Sequence, residues 1–83
     1  MKVVVLGGAG DMGSRAVRDL ATKKEVTELI IADININAAE NLAAKLGEKV
    51  KAIYVDANEP KTLVKAIEGS DVVASAMGPF YKY

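Results

Sequence analysis

Apolar residues in this chain alternate between short continuous runs and stretches in which they recur every three or four residues. The continuous runs are rich in valine and isoleucine, which is typical of strands that are buried on both faces. We predict four strands, at residues 2–6, 27–32, 50–55 and 71–77. The stretches between them have helical spacing and predict three helices, the first at residues 11–24.

The second predicted helix has Asn35 or Asn37 as its N-cap and runs to Leu46. The third has Asn58 as its N-cap and Pro60 in its first turn, where proline is tolerated. Strands separated by single helices imply right-handed crossovers and a parallel sheet. We therefore predict an α/β fold: a partial doubly wound (Rossmann) fold with a four-stranded parallel sheet in the order 3-2-1-4 and three helices.

The segment that follows the first strand is rich in glycine. Gly8, Gly10 and Gly13 match the G-x-G-x-x-G fingerprint of dinucleotide-binding folds. Its glycines allow a sharp turn, close approach of a pyrophosphate and tight packing of the helix. The N–H groups at the helix start would bind the phosphates, with contributions from Ala9, Asp11 and Met12.

A second glycine spacing overlaps the first. Gly7, Gly10 and Gly13 satisfy G-x-x-G-x-x-G, which is typical of short-chain dehydrogenases. Proteins with either pattern bind a nicotinamide cofactor. The two spacings therefore predict the same class of ligand, but they do not decide between the two protein families.

Asp33 ends the second apolar run, 20 positions past Gly13. A carboxylate there can accept hydrogen bonds from the adenosine ribose, although a plain turn residue would also fit. Ile34 follows it, and no arginine or lysine stands nearby to hold a 2′-phosphate, which favours NAD, with NADP as the alternative. Asp56 is either an acceptor for the adenine amino group or a turn residue before the third helix. We also assign to the cofactor site Ile34, Ala57, Ala76, Met77 and Gly78.

Composition excludes several kinds of chemistry. The 11 basic residues balance the 11 acidic ones, so no net charge attracts nucleic acid or anionic lipid. The chain has no cysteine and no histidine, which argues against disulfides, thiolate metal sites and the commonest general base. No apolar stretch is long enough to span a membrane. We expect a cytoplasmic protein without a metal site, and we assign no catalytic residue.

The whole stretch resembles the N-terminal nucleotide-binding region of saccharopine dehydrogenase-like oxidoreductases. The resemblance rests on residues 5–13 (VLGGAGDMG), 32–33 (AD), 55–58 (VDAN) and above all 76–83 (AMGPFYKY). It implies hydride transfer at a C–N bond of an amino acid-like substrate, with a nicotinamide cofactor that is NADP in many members. Residues 1–83 would then be the N-terminal part of a dinucleotide-binding domain, with the rest of that domain and a substrate domain absent.

Two other functions fit the same residues: a short-chain-type reductase or epimerase, and a non-enzymatic NAD-sensing regulatory domain. We expect the 83-residue chain alone to be inactive, because strands that would flank the nicotinamide have no counterpart in it. The fourth strand is apolar at its unpaired edge, so we also expect self-association through that edge.

Overall fold

The computed structural model describes residues 1–7, 10–56 and 58–75. Strands and helices alternate along it, as the apolar pattern predicts. The elements are β1 (Lys2–Leu6), α1 (Asp11–Ala21), β2 (Glu28–Asp33), α2 (Ile36–Leu46), β3 (Val50–Tyr54), α3 (Pro60–Ile67) and β4 (Val72–Ser75). The four strands form one parallel sheet in the order β3-β2-β1-β4. The predicted α/β class and strand order are confirmed.

The continuous apolar runs arise because both faces of the sheet are covered. On one face the strands pack against α1 and α2, and on the other they pack against α3. Within β1, Val3 and Val5 belong to the first core and Val4 belongs to the second, and all three are buried. Side chains alternate between the faces of a strand, so a strand covered on both sides must be apolar at every position.

β4 lies at the edge of the sheet and is less well covered. Val72 and Val73 are each 43% exposed, although they lie on opposite faces of the strand. At its start, Asp71 fixes the register, since its carboxylate accepts from the Lys2 N–H at 2.8 Å and its own N–H donates to the Lys2 carbonyl. The register therefore aligns Leu6 with Ser75 at the other end.

Helix boundaries differ from the prediction in two places. α1 ends at Ala21, because the next residue, Thr22, donates both its N–H and its hydroxyl to the carbonyl of Asp19. The prediction of Asn58 as the N-cap of the third helix is wrong. Glu59 holds that position, and the N–H of Asn58 donates to the carboxylate Oδ1 of Asp56. For α2 the N-cap is Asn35, whose side chain accepts from the third helical N–H.

Candidate functional site

The carboxyl ends of the parallel strands meet at one edge of the sheet. Leu6 pairs with Ala32, and the next residue of β2, Asp33, pairs with Tyr54 of β3. The glycine-rich loop after β1, the end of β2 and the loop after β3 therefore lie side by side. This arrangement brings together Gly10, Asp33, Ile34 and Asp56, which stand far apart in the sequence.

Gly7 makes the turn that leaves β1. Its φ is +76°, a left-handed conformation that L side chains rarely adopt, so glycine is needed here. Its N–H donates to the carbonyl of Ala32 at 2.7 Å, and its carbonyl accepts from the Gly10 N–H at 3.2 Å. The fingerprint assigned the sharp turn to Gly8, and Gly7 was not among the predicted site residues. The spacing of Gly7, Gly10 and Gly13 was the signal that could have found it.

Gly10 is the N-cap of α1. Its φ of −77° and ψ of 177° suit any residue, and the described atom that an added Cβ would meet is the Gly7 carbonyl oxygen, at an ordinary 3.6 Å. The described atoms around Gly10 therefore leave room for a Cβ at this position. Glycine supplies no side chain to cap α1, so the cap makes no side-chain hydrogen bond to the first N–H groups of the helix. This geometry fits a ligand with anionic oxygens.

The other predicted phosphate-site residues lie at or next to this helix start. Asp11 and Met12 begin the backbone of α1, and Gly13 is buried in its first turn. The first backbone bond of the helix runs from the Ser14 N–H to the Gly10 carbonyl at 2.8 Å. Several predicted site residues lie outside the described part of the chain: Gly8, Ala9, Ala57, Ala76, Met77 and Gly78.

Asp33 ends β2, and its Oδ1 accepts from the backbone N–H of Asn35 at 2.9 Å. This Asx turn leads directly into α2. Asp33 therefore acts as a turn residue at the end of the strand, which is one of the two interpretations that the sequence allowed. A carboxylate has about four acceptor positions, so the bond to Asn35 does not by itself exclude a ribose hydroxyl at the same group. The turn holds the carboxylate at the edge of the sheet, next to the glycine loop.

Asp56 is engaged in a turn of its own. Its Oδ1 accepts from the Asn58 N–H at 2.9 Å, and its Oδ2 lies 3.4 Å from the Tyr54 hydroxyl. Its backbone N–H donates to the Thr62 hydroxyl oxygen at 2.9 Å, and its carbonyl accepts from the Glu59 N–H at 2.8 Å. Of the two interpretations that the sequence left open, these contacts favour the turn residue before α3.

Tyr54 and Ile34 are large hydrophobic side chains that are exposed at this edge. Tyr54 is 42% exposed and Ile34 is 60% exposed. The pKa of the Tyr54 phenol is raised by partial desolvation, by the negative charges of Asp56 and Glu59, and by the hydrogen bond to Asp56. The hydroxyl therefore stays protonated through neutral pH. Tyr54 was not among the predicted site residues, and an aromatic residue at the end of a strand was the signal for it.

Within the described ranges, no three acidic side chains lie close enough together to hold a metal ion. No helix in that part of the chain has the length and apolar character needed to cross a membrane.

The family model described as "Saccharopine dehydrogenase NADP binding domain" matches residues 3–83. An uncharacterized protein, 052L, of Frog virus 3 (isolate Goorha) is 37% identical over 79 residues, which are 94% of this chain and 21% of the viral protein. The chain therefore spans about a fifth of the length of this relative.

Solved structures of oxidoreductases share the fold. A 3-hydroxyacyl-CoA dehydrogenase type-2 from Mycobacterium avium superimposes with a TM-score of 0.79 at 26% identity, over 95% of this chain and 33% of that one. A putative short-chain oxidoreductase from Thermus thermophilus has a TM-score of 0.74 at 22% identity, over 92% of this chain and 36% of that one. A short-chain dehydrogenase/reductase from Brucella melitensis has a TM-score of 0.63 at 27% identity, over 87% and 34% of the two chains.

Proposed function

The chain belongs to the saccharopine dehydrogenase NADP binding domain family, an NAD(P)-binding domain of oxidoreductase type, and from that premise we propose that it binds the adenosine and pyrophosphate of a nicotinamide dinucleotide at the carboxyl edge of its sheet. The observation that carries the proposal is the start of α1. Gly10 caps the helix without a side chain, although its backbone would accept one. Its N–H donates to Gly7, which is itself bonded to Ala32, the residue before Asp33.

Different residues of the chain would bind different parts of the cofactor. The glycine loop and the first N–H groups of α1 bind the pyrophosphate, where the positive end of the helix dipole stabilises it. Asp33 accepts from the ribose hydroxyls, and Ile34 and the residues after β3 adjoin the base. When bound, the cofactor supplies hydride transfer, and the protein orients it.

NAD is the cofactor that we propose for this chain. The family is named for NADP, whereas Asp33 would place a negative charge against a 2′-phosphate. Residues 34–36 (INI) supply no cation to offset that repulsion. Like charges a few Å apart at a protein surface repel by about 1–4 kcal/mol, which corresponds to tenfold or more in affinity.

For the whole protein we propose an oxidoreductase that transfers hydride at a C–N bond of an amino acid-like substrate in the cytoplasm. Residues 1–83 would form the N-terminal part of its dinucleotide-binding domain and would be inactive alone. The incomplete cover of β4 supports this division, since Val72 and Val73 are exposed on both faces of the strand. The match to the saccharopine dehydrogenase family supports the chemistry.

A short-chain-type reductase is the second candidate. The turn at Gly7 is the observation that favours it, because that glycine belongs to the G-x-x-G-x-x-G spacing, and solved short-chain enzymes share the fold. Both candidates require the same cofactor site. A Tyr-x-x-x-Lys motif in the remainder of the protein would favour the short-chain enzyme, and a substrate domain would favour the first candidate.

Titration of the ¹⁵N-labelled chain with NAD tests the binding site, because chemical shifts report weak binding residue by residue. We expect saturable shifts of the amides of Gly7, Gly10 and Asp33, and smaller effects at the opposite edge, for example at Gly69. Shifts that do not saturate, or that spread evenly over the chain, would contradict the proposed site.

A further inference from the structure

Tyr54 lies beside the carboxylate that we assign to the ribose. It is the register partner of Asp33 across the β2–β3 pair. Earlier residues of both strands, Ile31 and Ala52, contribute to the core under α1 and α2. Because side chains alternate along a strand, Asp33 and Tyr54 emerge on that same face, on strands about 4.8 Å apart.

The ring of Tyr54 is held in place and still accessible. Its hydroxyl lies 3.4 Å from Asp56 Oδ2, and Asp56 is itself fixed by bonds to Asn58 and Thr62. The side chain is nevertheless 42% exposed. An aromatic ring with a polar group near its tip and an accessible body provides a surface for a planar ligand.

Ile34 provides a second apolar surface next to the same carboxylate. It is 60% exposed, and it follows Asp33 in the chain while Tyr54 adjoins Asp33 across the sheet. In a nucleoside the base is attached to the ribose carbon next to the one that bears the 2′-hydroxyl. A ribose held by Asp33 therefore places its base within reach of these two side chains.

Resting on the dinucleotide binding proposed above, we propose that Tyr54 is the stacking platform for the purine base. Tyr54 then sets the affinity for the adenosine half of the cofactor, whereas Asp33 sets the choice between a 2′-hydroxyl and a 2′-phosphate. Stacking recognises the face of the base, so its contribution is the same for NAD and NADP. The two residues thus control separate properties of one site.

Titrations of Tyr54→Ala and Tyr54→Phe test this assignment. Loss of a stacking ring lowers affinity about fivefold or more. We expect Tyr54→Ala to weaken the binding of NAD and of NADP by the same factor. Tyr54→Phe should retain most of the wild-type affinity, because the ring remains and only the hydroxyl contact with Asp56 is lost. Val64→Ala is the matched control, because Val64 is 61% exposed on α3 and outside the site.

A measurement on the unaltered chain covers the case in which Tyr54→Ala misfolds. Contacts between the adenine H2 or H8 proton and the Tyr54 ring protons should give nuclear Overhauser effects in the NAD complex. Absence of these effects, an unchanged affinity in folded Tyr54→Ala, or a changed NAD-to-NADP ratio would overturn the assignment. Failure of the wild-type chain to bind NAD at all would instead overturn the proposed function, and the assignment with it.

Discussion

The backbone N–H of Gly7 donates to the carbonyl of Ala32 at 2.7 Å. This bond ties the first residue of the glycine loop to the residue that precedes Asp33. The start of the loop that would hold the pyrophosphate is therefore tied by main-chain atoms to the strand that carries the ribose carboxylate, and a disturbance at Gly7 should reach both.

Gly7 and Gly10 are expected to respond differently to alanine. Gly7→Ala forces a Cβ into a left-handed conformation and should destabilise the fold by about 1–2 kcal/mol. Gly10→Ala meets no such strain and should cost less than about 1 kcal/mol, yet its methyl group would occupy the phosphate position and abolish NAD binding. Urea unfolding and NAD titration measure the two effects.

Gly69→Ala is the control for Gly7→Ala. Gly69 has the same φ of +76° and open space around it, but it lies between α3 and β4, at the opposite edge of the sheet. It should lose similar stability and keep its NAD affinity. NAD binding by Gly10→Ala at wild-type strength would show that the space in front of α1 is not the phosphate site.

Asp33→Asn isolates the charge of Asp33 from its role in the turn. The amide oxygen can still accept from the Asn35 N–H, so the start of α2 should be preserved. Without the negative charge, the preference for NAD over NADP should narrow by roughly tenfold, since removal of like-charge repulsion changes affinity by that order. Parallel titrations with both cofactors at fixed ionic strength measure the ratio. A wild-type chain that prefers NADP would contradict this interpretation of Asp33.

Thr62→Val should release the loop after β3. The Thr62 hydroxyl oxygen accepts from the Asp56 N–H at 2.9 Å and lies within hydrogen-bonding distance of the carbonyls of Asp56 and Glu59. Loss of the hydroxyl leaves a partly buried N–H without this partner, which costs about 1–3 kcal/mol. Denaturant unfolding measures the loss, and Thr62→Ser, which keeps the hydroxyl, should recover most of it. Equal stability of the valine and serine variants would rule out this role.

Tyr54 should ionise at a higher pH than an unperturbed tyrosine, whose pKa is 10.0. Partial desolvation, the charges of Asp56 and Glu59 and the hydrogen bond to Asp56 all raise the pKa of its phenol in the folded state. Since the folded pKa lies above the unfolded one, the associated stability is fully present below pH 10 and is lost as the pH rises through the folded pKa.

Absorbance of tyrosinate, recorded as the difference between wild type and Tyr54→Phe, isolates this titration from those of Tyr81 and Tyr83. A midpoint at or below that of a free tyrosine would contradict the expected shift. The Tyr54→Phe variant should also lose less stability than wild type on passing from pH 9 to higher pH.

The edge of β4 should mediate self-association of the 83-residue chain. Val72 and Val73 are exposed and β4 carries no charged side chain, whereas the other edge strand, β3, presents Lys51 beside Glu28. Charged residues at a sheet edge oppose pairing between chains. Sedimentation should show concentration-dependent assembly of the wild type. The Val73→Lys variant should assemble less, and the control variant Val64→Lys should assemble as the wild type does. A strict monomer across the concentration series would remove this expectation.

The sequence by itself determined the order of the elements and the topology of the sheet. Runs such as Val3–Val5 are apolar at every position because helices cover both faces of the sheet. Single helices between such strands allow few arrangements, since the crossovers are right-handed. The glycine loop after β1 and the acid at the end of β2 followed from spacing alone.

Only the tertiary structure decided which residues meet and what each one does. The turn at Gly7 depends on a carbonyl of the neighbouring strand, and Asp56 is held by Thr62 from the helix that follows. Tyr54 became a candidate because register places it opposite Asp33. The local spacing of residues reports the preferences of a few neighbours along the chain. Strand register, in contrast, is set by the packing of whole strands against helices on both faces of the sheet. This packing brings distant side chains to one edge.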